Sequence, residues 1–303
     1  MMDKNPTDTV QASNKRRSQQ WINLRLVFQH PLARAGAVVL IVFSIMAIFA
    51  PYIAPYDPDK ILEDSSGNWL TYKKPSERFW LGTTDMGRDI LSQIIYGSRT
   101  AFIVGVLAAI MVMVIGTVIG LVAAYFSGWV DQVVMRLVDV VYGIPFLPFA
   151  MVLVTVLGGS QWNVIIAISV LLWRETCRVV RAQVLSLKER PFIEVARSSG
   201  AGHMRLIFIH LAPNVYPLSV LYGVFAVGWA IITEAGLSFL GFGDSESMSW
   251  GKMLQEAYSA QALSQGAWWW IVPPGVAIVL MVMSTYFIAQ GIEQVVNPKL
   301  RSR

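Results

Sequence analysis

The chain has 303 residues, of which 55% are hydrophobic and 14% charged, and its mean hydropathy is +0.53; that is the composition of a membrane protein rather than a soluble domain. The formal charge is +5, but basic residues in a membrane protein gather in loops on the cytoplasmic side, so the excess is not read as a nucleic-acid footprint. Cys177 is the only cysteine, which excludes an intrachain disulfide and a cysteine-based metal cluster, and His30, His203 and His210 lack metal-ligand spacing.

A membrane-spanning helix needs roughly 20 mostly apolar residues, and the sequence predicts an all-α integral membrane protein with six such spans. A polar amino-terminal tail, residues 1–34, precedes the first span at 35–53. Its long polar leader and the prolines and aromatics of FAPYIAPYDPD argue for an uncleaved anchor rather than a signal peptide. An external loop, 54–99, leads to a second span, Thr100 to Tyr125, in which Gly105, Gly116 and Gly120 permit close helix contact. The third span, Val134 to Leu157, is interrupted by Pro145 and Pro148. The fourth runs from Trp162 to about Gln183. Arg174, Glu175 and Arg178 cut into its second half and read as an ion-pair cluster at its inner end, as do Arg136 and Asp139 in helix three.

A polar stretch, 184–214, then separates two apolar runs. It reads EVARSSGAGHMRLIFIHLAPN from Glu194 to Asn214, and such a segment cannot lie in hydrocarbon. Glu194 opens a helical turn, Gly200 permits a change of direction, and Met204 to Ile209 form a second helix that Pro213 ends. A surface helix of that kind fits a groove on a partner. The fifth span, Val215 to Leu240, carries Glu234 at membrane depth, where an ionisable side chain points to a translocation path. After the external loop 241–267, Trp268, Trp269 and Trp270 read as a three-ring interfacial anchor opening the sixth span, which ends at Ile292. The tail is 293–303. Seventeen of the 24 basic residues fall on the side of both termini and of the 184–214 loop, which makes that side cytoplasmic.

The spacing Glu194, Ala196, Gly200, Pro213 resembles the E-A-A, three residues, G, distal P motif of inner-membrane permease subunits of ABC importers. IAPYDP, LGTTDMGRDILSQIIYGSR, VMRLVDVVYGIP, EAGLSFLGFG, SWGKML and NPKL are similar to the dipeptide/oligopeptide/nickel branch, most of all its second permease. Val195, Ala212 and Thr84 depart from the usual pattern without disturbing the turn or the helix. The resemblance implies a type I permease fold, with residues 100–292 as permease core, in a prokaryotic inner membrane. It also implies a homologous permease, two ABC ATPase subunits, an external solute-binding protein and membrane lipid as partners. Glu194, Ala196, Gly200, Ala201, Met204, Arg205, Ile207, Phe208 and Pro213 become the residues that couple to the ATPases. No G-x-x-x-x-G-K-[ST] stretch occurs, so the chain is expected to be non-catalytic and without its own cofactor, with ATP and Mg on the ATPase subunits. Short peptides are the substrate class implied, with oligosaccharides, nickel chelates or glutathione as alternatives. A self-sufficient secondary transporter would need midplane coupling carboxylates and inverted repeats, and the sequence offers neither.

Overall fold

The computed structural model describes residues 26–296; the expectations placed on residues 1–25 and 297–303, among them most of the tails' positive charge and the NPKL stretch, lie outside them. Regular structure among the described residues is helical apart from two isolated bridges, Glu63 with Trp69 and Thr83 with Asp89.

Helix α1 is Pro31–Ile48. It starts earlier than predicted because Pro31 sits in the first turn, where a missing N–H is harmless, and it breaks at Phe49 before the short α2, Ala50–Ile53. Helix α3, Ile90–Phe126, also begins ahead of its predicted start. The Asp89 carboxylate caps it, accepting from Ser92 N at 2.8 Å and Ser92 Oγ at 2.7 Å. At 1.5 Å per residue α3 is about 55 Å long, well beyond a hydrocarbon core of roughly 30 Å.

The predicted third span is a bent pair, α4 Gly128–Gly143 and α5 Phe146–Leu157, turned by 96°. The break falls at Ile144, which is extended with ψ 130, as the residue before a proline tends to be. Pro148 lies in the first turn of α5 and is absorbed there. Helix α6 is Gln161–Lys188, α7 Pro191–Ser198, and His203–Phe239 is one unbroken α8 with a π-helical stretch at Leu206–Leu211. Helices α9, Trp250–Ser259, and α10, Trp268–Val296, complete the chain.

Four helices, α1, α3, α8 and α10, are long and apolar enough to cross a membrane, and the bent pair makes a fifth candidate. The predicted count of six is not reached on that criterion. The shortfall is α6, whose centre carries Arg174, Glu175, Arg178 and Arg181. Its most extensive packing is against α3. Gly116 and Gly120 permit that approach: a Cβ on Gly116 would stand 2.6 Å from Thr176 Cβ, and one on Gly120 2.6 Å from the Cys177 carbonyl.

Buried side chains form three layers along the bundle. One gathers Phe43, Ile94, Trp250, Met253, Trp269 and Trp270, the middle one Val112, Ile165, Ile168, Leu171 and Ala230, and the third Leu121, Val180, Ile193, Leu206, Ile207 and Leu211. The first layer corrects the tryptophan anchor. Only Trp268 is exposed, at 57%, while Trp270 is fully enclosed, because successive residues of a helix point about 100° apart. Trp269 lies against Gly82, and Trp270 meets the Tyr72 ring edge-on at 6.3 Å. The segment between α2 and α3 packs its own small core of Leu62, Leu70 and Phe79 and docks on α9 through Tyr72 Oη, which donates to the Ala260 carbonyl at 3.1 Å.

Candidate functional site

The segment from α7 into α8 supplies the most specific surface. Helix α7 ends at Ser198, and Gly200 reverses the chain with φ +80, a conformation that favours glycine. Gly200 N donates to Arg197 O at 3.0 Å and Ala201 N to Ala196 O at 3.1 Å, so the turn satisfies two carbonyls that the helix end would leave open. Pro213, predicted to end the second helix, does not: α8 continues through it. A proline inside a helix lacks the N–H and crowds the carbonyl four residues back. Here the preceding turn widens instead, and Ala212 N bonds to Ile207 O in π register.

This geometry sorts the predicted coupling residues into two faces. Met204 and Phe208 are 68% and 63% exposed, and Ile209, Val195 and Phe192 lie open with them. Glu194, Arg205 and Pro213 are also exposed, whereas Ala196 and Ala201 are half-buried. Ile207 is a correction: expected on the contact face, it is 7% exposed and packs with Leu206 and Ile193 on α3 and α6. The sequence reading also missed how the segment is tied down. Lys188 Nζ donates to Ala124 O, Tyr125 O and Ser127 Oγ at 2.9, 2.8 and 2.7 Å, placing a cation on the carbonyl end of α3. Tyr125 Oη and His203 Nδ1 are 2.6 Å apart, linking α3 to the first turn of α8. The sequence signal for both was only a polar group beside an apolar run.

Glu234, expected on a translocation path, is enclosed where α8 meets α9 rather than presented to an opening. It is 5% exposed and accepts from Ser238 Oγ at 2.6 Å. A Cβ on Gly251 would stand 2.3 Å from Ala235 O, so α9 lies hard against this turn. The predicted cluster in the fourth helix also divides. Arg178 bonds Asp139 at 2.9 Å and stacks over Tyr142 at 4.4 Å, and Arg174 stacks over the same ring at 4.6 Å. Arg136 reaches Asp139 at 4.0 Å. Glu175 has no ion pair among the described residues.

A bundle of long apolar helices that presents a glycine-turned, apolar-tipped segment at one end defines a multi-pass membrane protein built to engage something beyond the bilayer. Residues 116–302 match the family described as binding-protein-dependent transport system inner membrane component, and residues 20–75 match the N-terminal TM domain of oligopeptide transport permease C. Curated relatives include a glutathione transport system permease protein of Pectobacterium atrosepticum, 35% identical over 92% of this chain and 90% of that one. A dipeptide transport system permease protein of Alkalihalophilus pseudofirmus is 34% identical over 90% and 88%. A di/tripeptide transport system permease protein of Pseudomonas aeruginosa is 31% identical over 89% of each. The chain belongs to the family of inner-membrane permease components of binding-protein-dependent ABC importers. Such components are not catalytic, and they work with a second permease, ATPases and a solute-binding protein.

Proposed function

We propose that this chain is one of two permease subunits of an ATP-driven importer of short peptides, and that the segment Pro191–Leu211 is where ATPase subunits dock. The observation that carries the reading is the outward apolar face of that segment, Val195, Met204, Phe208 and Ile209, held by the Gly200 turn. Water does not favour such a face, and a helix presenting it suits a groove. ATP and Mg belong to the docked subunits, whose closure would move the segment as a rigid body. Relatives named for dipeptide, di/tripeptide and glutathione transport support the peptide class, since glutathione is itself a short peptide.

The membrane reading that goes with it has six spans, counting α6 and the bent pair, with both termini and α7 in the cytoplasm of a prokaryotic cell. The segment 54–89 and α9 then face outward, where a loaded binding protein would meet them. Helix α6 can be a span despite its charge because its apolar face, Ile165, Ile168, Leu171, Val180 and Val184, is buried against neighbouring helices. The test is co-purification of the assembled importer carrying Phe208→Asp together with Met204→Asp. The expected result is a permease made in normal amount that has lost its ATPases and the ATP hydrolysis stimulated by binding protein. Full retention of both would make the segment a mere connector.

A further inference from the structure

The α6 carboxylate left over from the arginine cluster faces a small cavity of about 90 Å³, lined by Val112, Glu175, Tyr222, Phe225 and Trp229 among others. Glu175 lies at the centre of α6, and an ionisable side chain at the middle of a bundle helix is costly unless it has a task. The neighbouring cations do not neutralise it. Arg174 donates to the Leu171 carbonyl at 3.0 Å, and both Arg174 and Arg178 are stacked on Tyr142. Glu175 makes no hydrogen bond or ion pair among the described residues, and it is exposed.

Opposite it, α8 presents three rings on one face. Tyr222 and Phe225 are half-buried with centroids 6.1 Å apart, and Trp229 is 56% exposed. Phe225 continues to Tyr286 of α10 at 5.9 Å. A carboxylate beside aromatic faces attracts a cation twice, by its charge and by the ring quadrupoles. The volume suits an ammonium and its first carbons rather than a whole peptide.

We propose that Glu175, with Tyr222, Phe225 and Trp229, receives the α-ammonium end of the cargo on its way through the bundle, so that a free amino terminus is read by the permease itself. The inference rests on the peptide reading for the identity of the cargo and on the cavity alone for its preference for cations.

Two measurements separate these. In an assembled importer carrying Cys177→Ala and Tyr222→Cys, thiol reagents of opposite charge, a trimethylammonium and a sulfonate methanethiosulfonate, are compared with and without Glu175→Gln. The ratio of cationic to anionic labelling should fall roughly three- to tenfold in the Glu175→Gln protein. An unchanged ratio, or no labelling at all, overturns the site. In proteoliposomes holding the whole importer, Glu175→Gln should raise KM for dialanine about tenfold with little change in kcat. It should leave N-acetyl-dialanine unaffected, and Glu175→Asp should restore most of the difference. Equal changes for both compounds, or none, overturn the ammonium assignment. A wild-type importer that moves neither compound sinks the peptide reading instead, and the labelling ratio still decides the site.

Discussion

Ile207 and Phe208 are neighbours of similar hydrophobicity with opposite fates, one sealed against α3 and α6 and the other open. Ile207→Asp should therefore lower yield and thermal stability, since a carboxylate there has no partner and burying one costs several kcal/mol. Phe208→Asp should leave both near wild type and weaken ATPase retention. A detergent-solubilised melt beside a pull-down distinguishes the two; similar melts for both variants would contradict the burial. Gly200→Val should cost about 1–3 kcal/mol through φ alone, because a Cβ there meets nothing within 4 Å. Asn, which tolerates positive φ better, should recover part of the loss at that position. The Gly200 turn was legible in the sequence, as a glycine at fixed offset from Glu194 and Pro213. The inward turn of Ile207 was not, because the phase of the helix depends on where the π stretch begins. Glu234→Gln keeps an acceptor for Ser238 Oγ, so its melt should match wild type and any loss of transport would report the charge. Transport equal to wild type would restrict Glu234 to holding the turn before α9.

At the scale of elements, proline was read correctly at one break and incorrectly at another. Pro145 splits the bent pair as its preceding extended residue predicts, whereas Pro213 widens a turn rather than ending a helix. The difference lies in the residues beyond Pro213: the chain there is apolar and packed through Val215, Ser219 and Leu221, and that burial keeps the helix going. Pro213→Ala, which removes the cause of the widened turn without changing the residue count, should return Leu206–Leu211 to α register and rotate the Met204 face by about 100° relative to the rest of α8. ATP hydrolysis should then continue with reduced dependence on binding protein while membrane insertion is normal. Unaltered coupling in that variant would show the π stretch to be idle. At the other end of the bundle, burial on α9 pushes the Glu256 carboxyl above its ordinary range, against the opposing pull of Arg88 at 4.0 Å. A carboxyl whose folded pKa is raised contributes stability that is present below its unfolded pKa of about 4.3 and lost as pH rises through the folded value. Hydrogen exchange at α9 should thus be slower at pH 5 than at pH 8 after correction for intrinsic rates, and Glu256→Gln should remove the difference.

For the whole molecule, four helices and the bent pair are apolar enough to cross a membrane, whereas α6, the fourth span of the sequence reading, does not meet that criterion. Helix α1 exposes Val38, Ile41, Val42, Ile45 and Ile48, an outer stripe that any hydropathy window detects. Helix α6 turns Ile165, Ile168, Leu171, Val180 and Val184 against neighbouring helices, α3 most of all, while Arg174, Glu175, Arg178 and Arg181 lower its average hydropathy. That difference decides between five and six crossings, and therefore on which side α7 lies relative to the segment 54–89. With α6 crossing, Ser199 beyond α7 stands on the opposite side from Ser66 and Ser259; without it, Ser199 joins Ser66 and Ser259 moves to the other side. Each of these serines is exposed, so single Ser→Cys replacements in a Cys177→Ala background can be labelled in intact cells by a membrane-impermeant maleimide once any outer barrier is opened. Ser66→Cys and Ser259→Cys should react at once and Ser199→Cys only after lysis. Prompt labelling at Ser66→Cys and Ser199→Cys, with Ser259→Cys reacting only after lysis, would remove α6 from the membrane, put the Gly200 turn outside the cell, and take with it the docking of ATPases at Phe208.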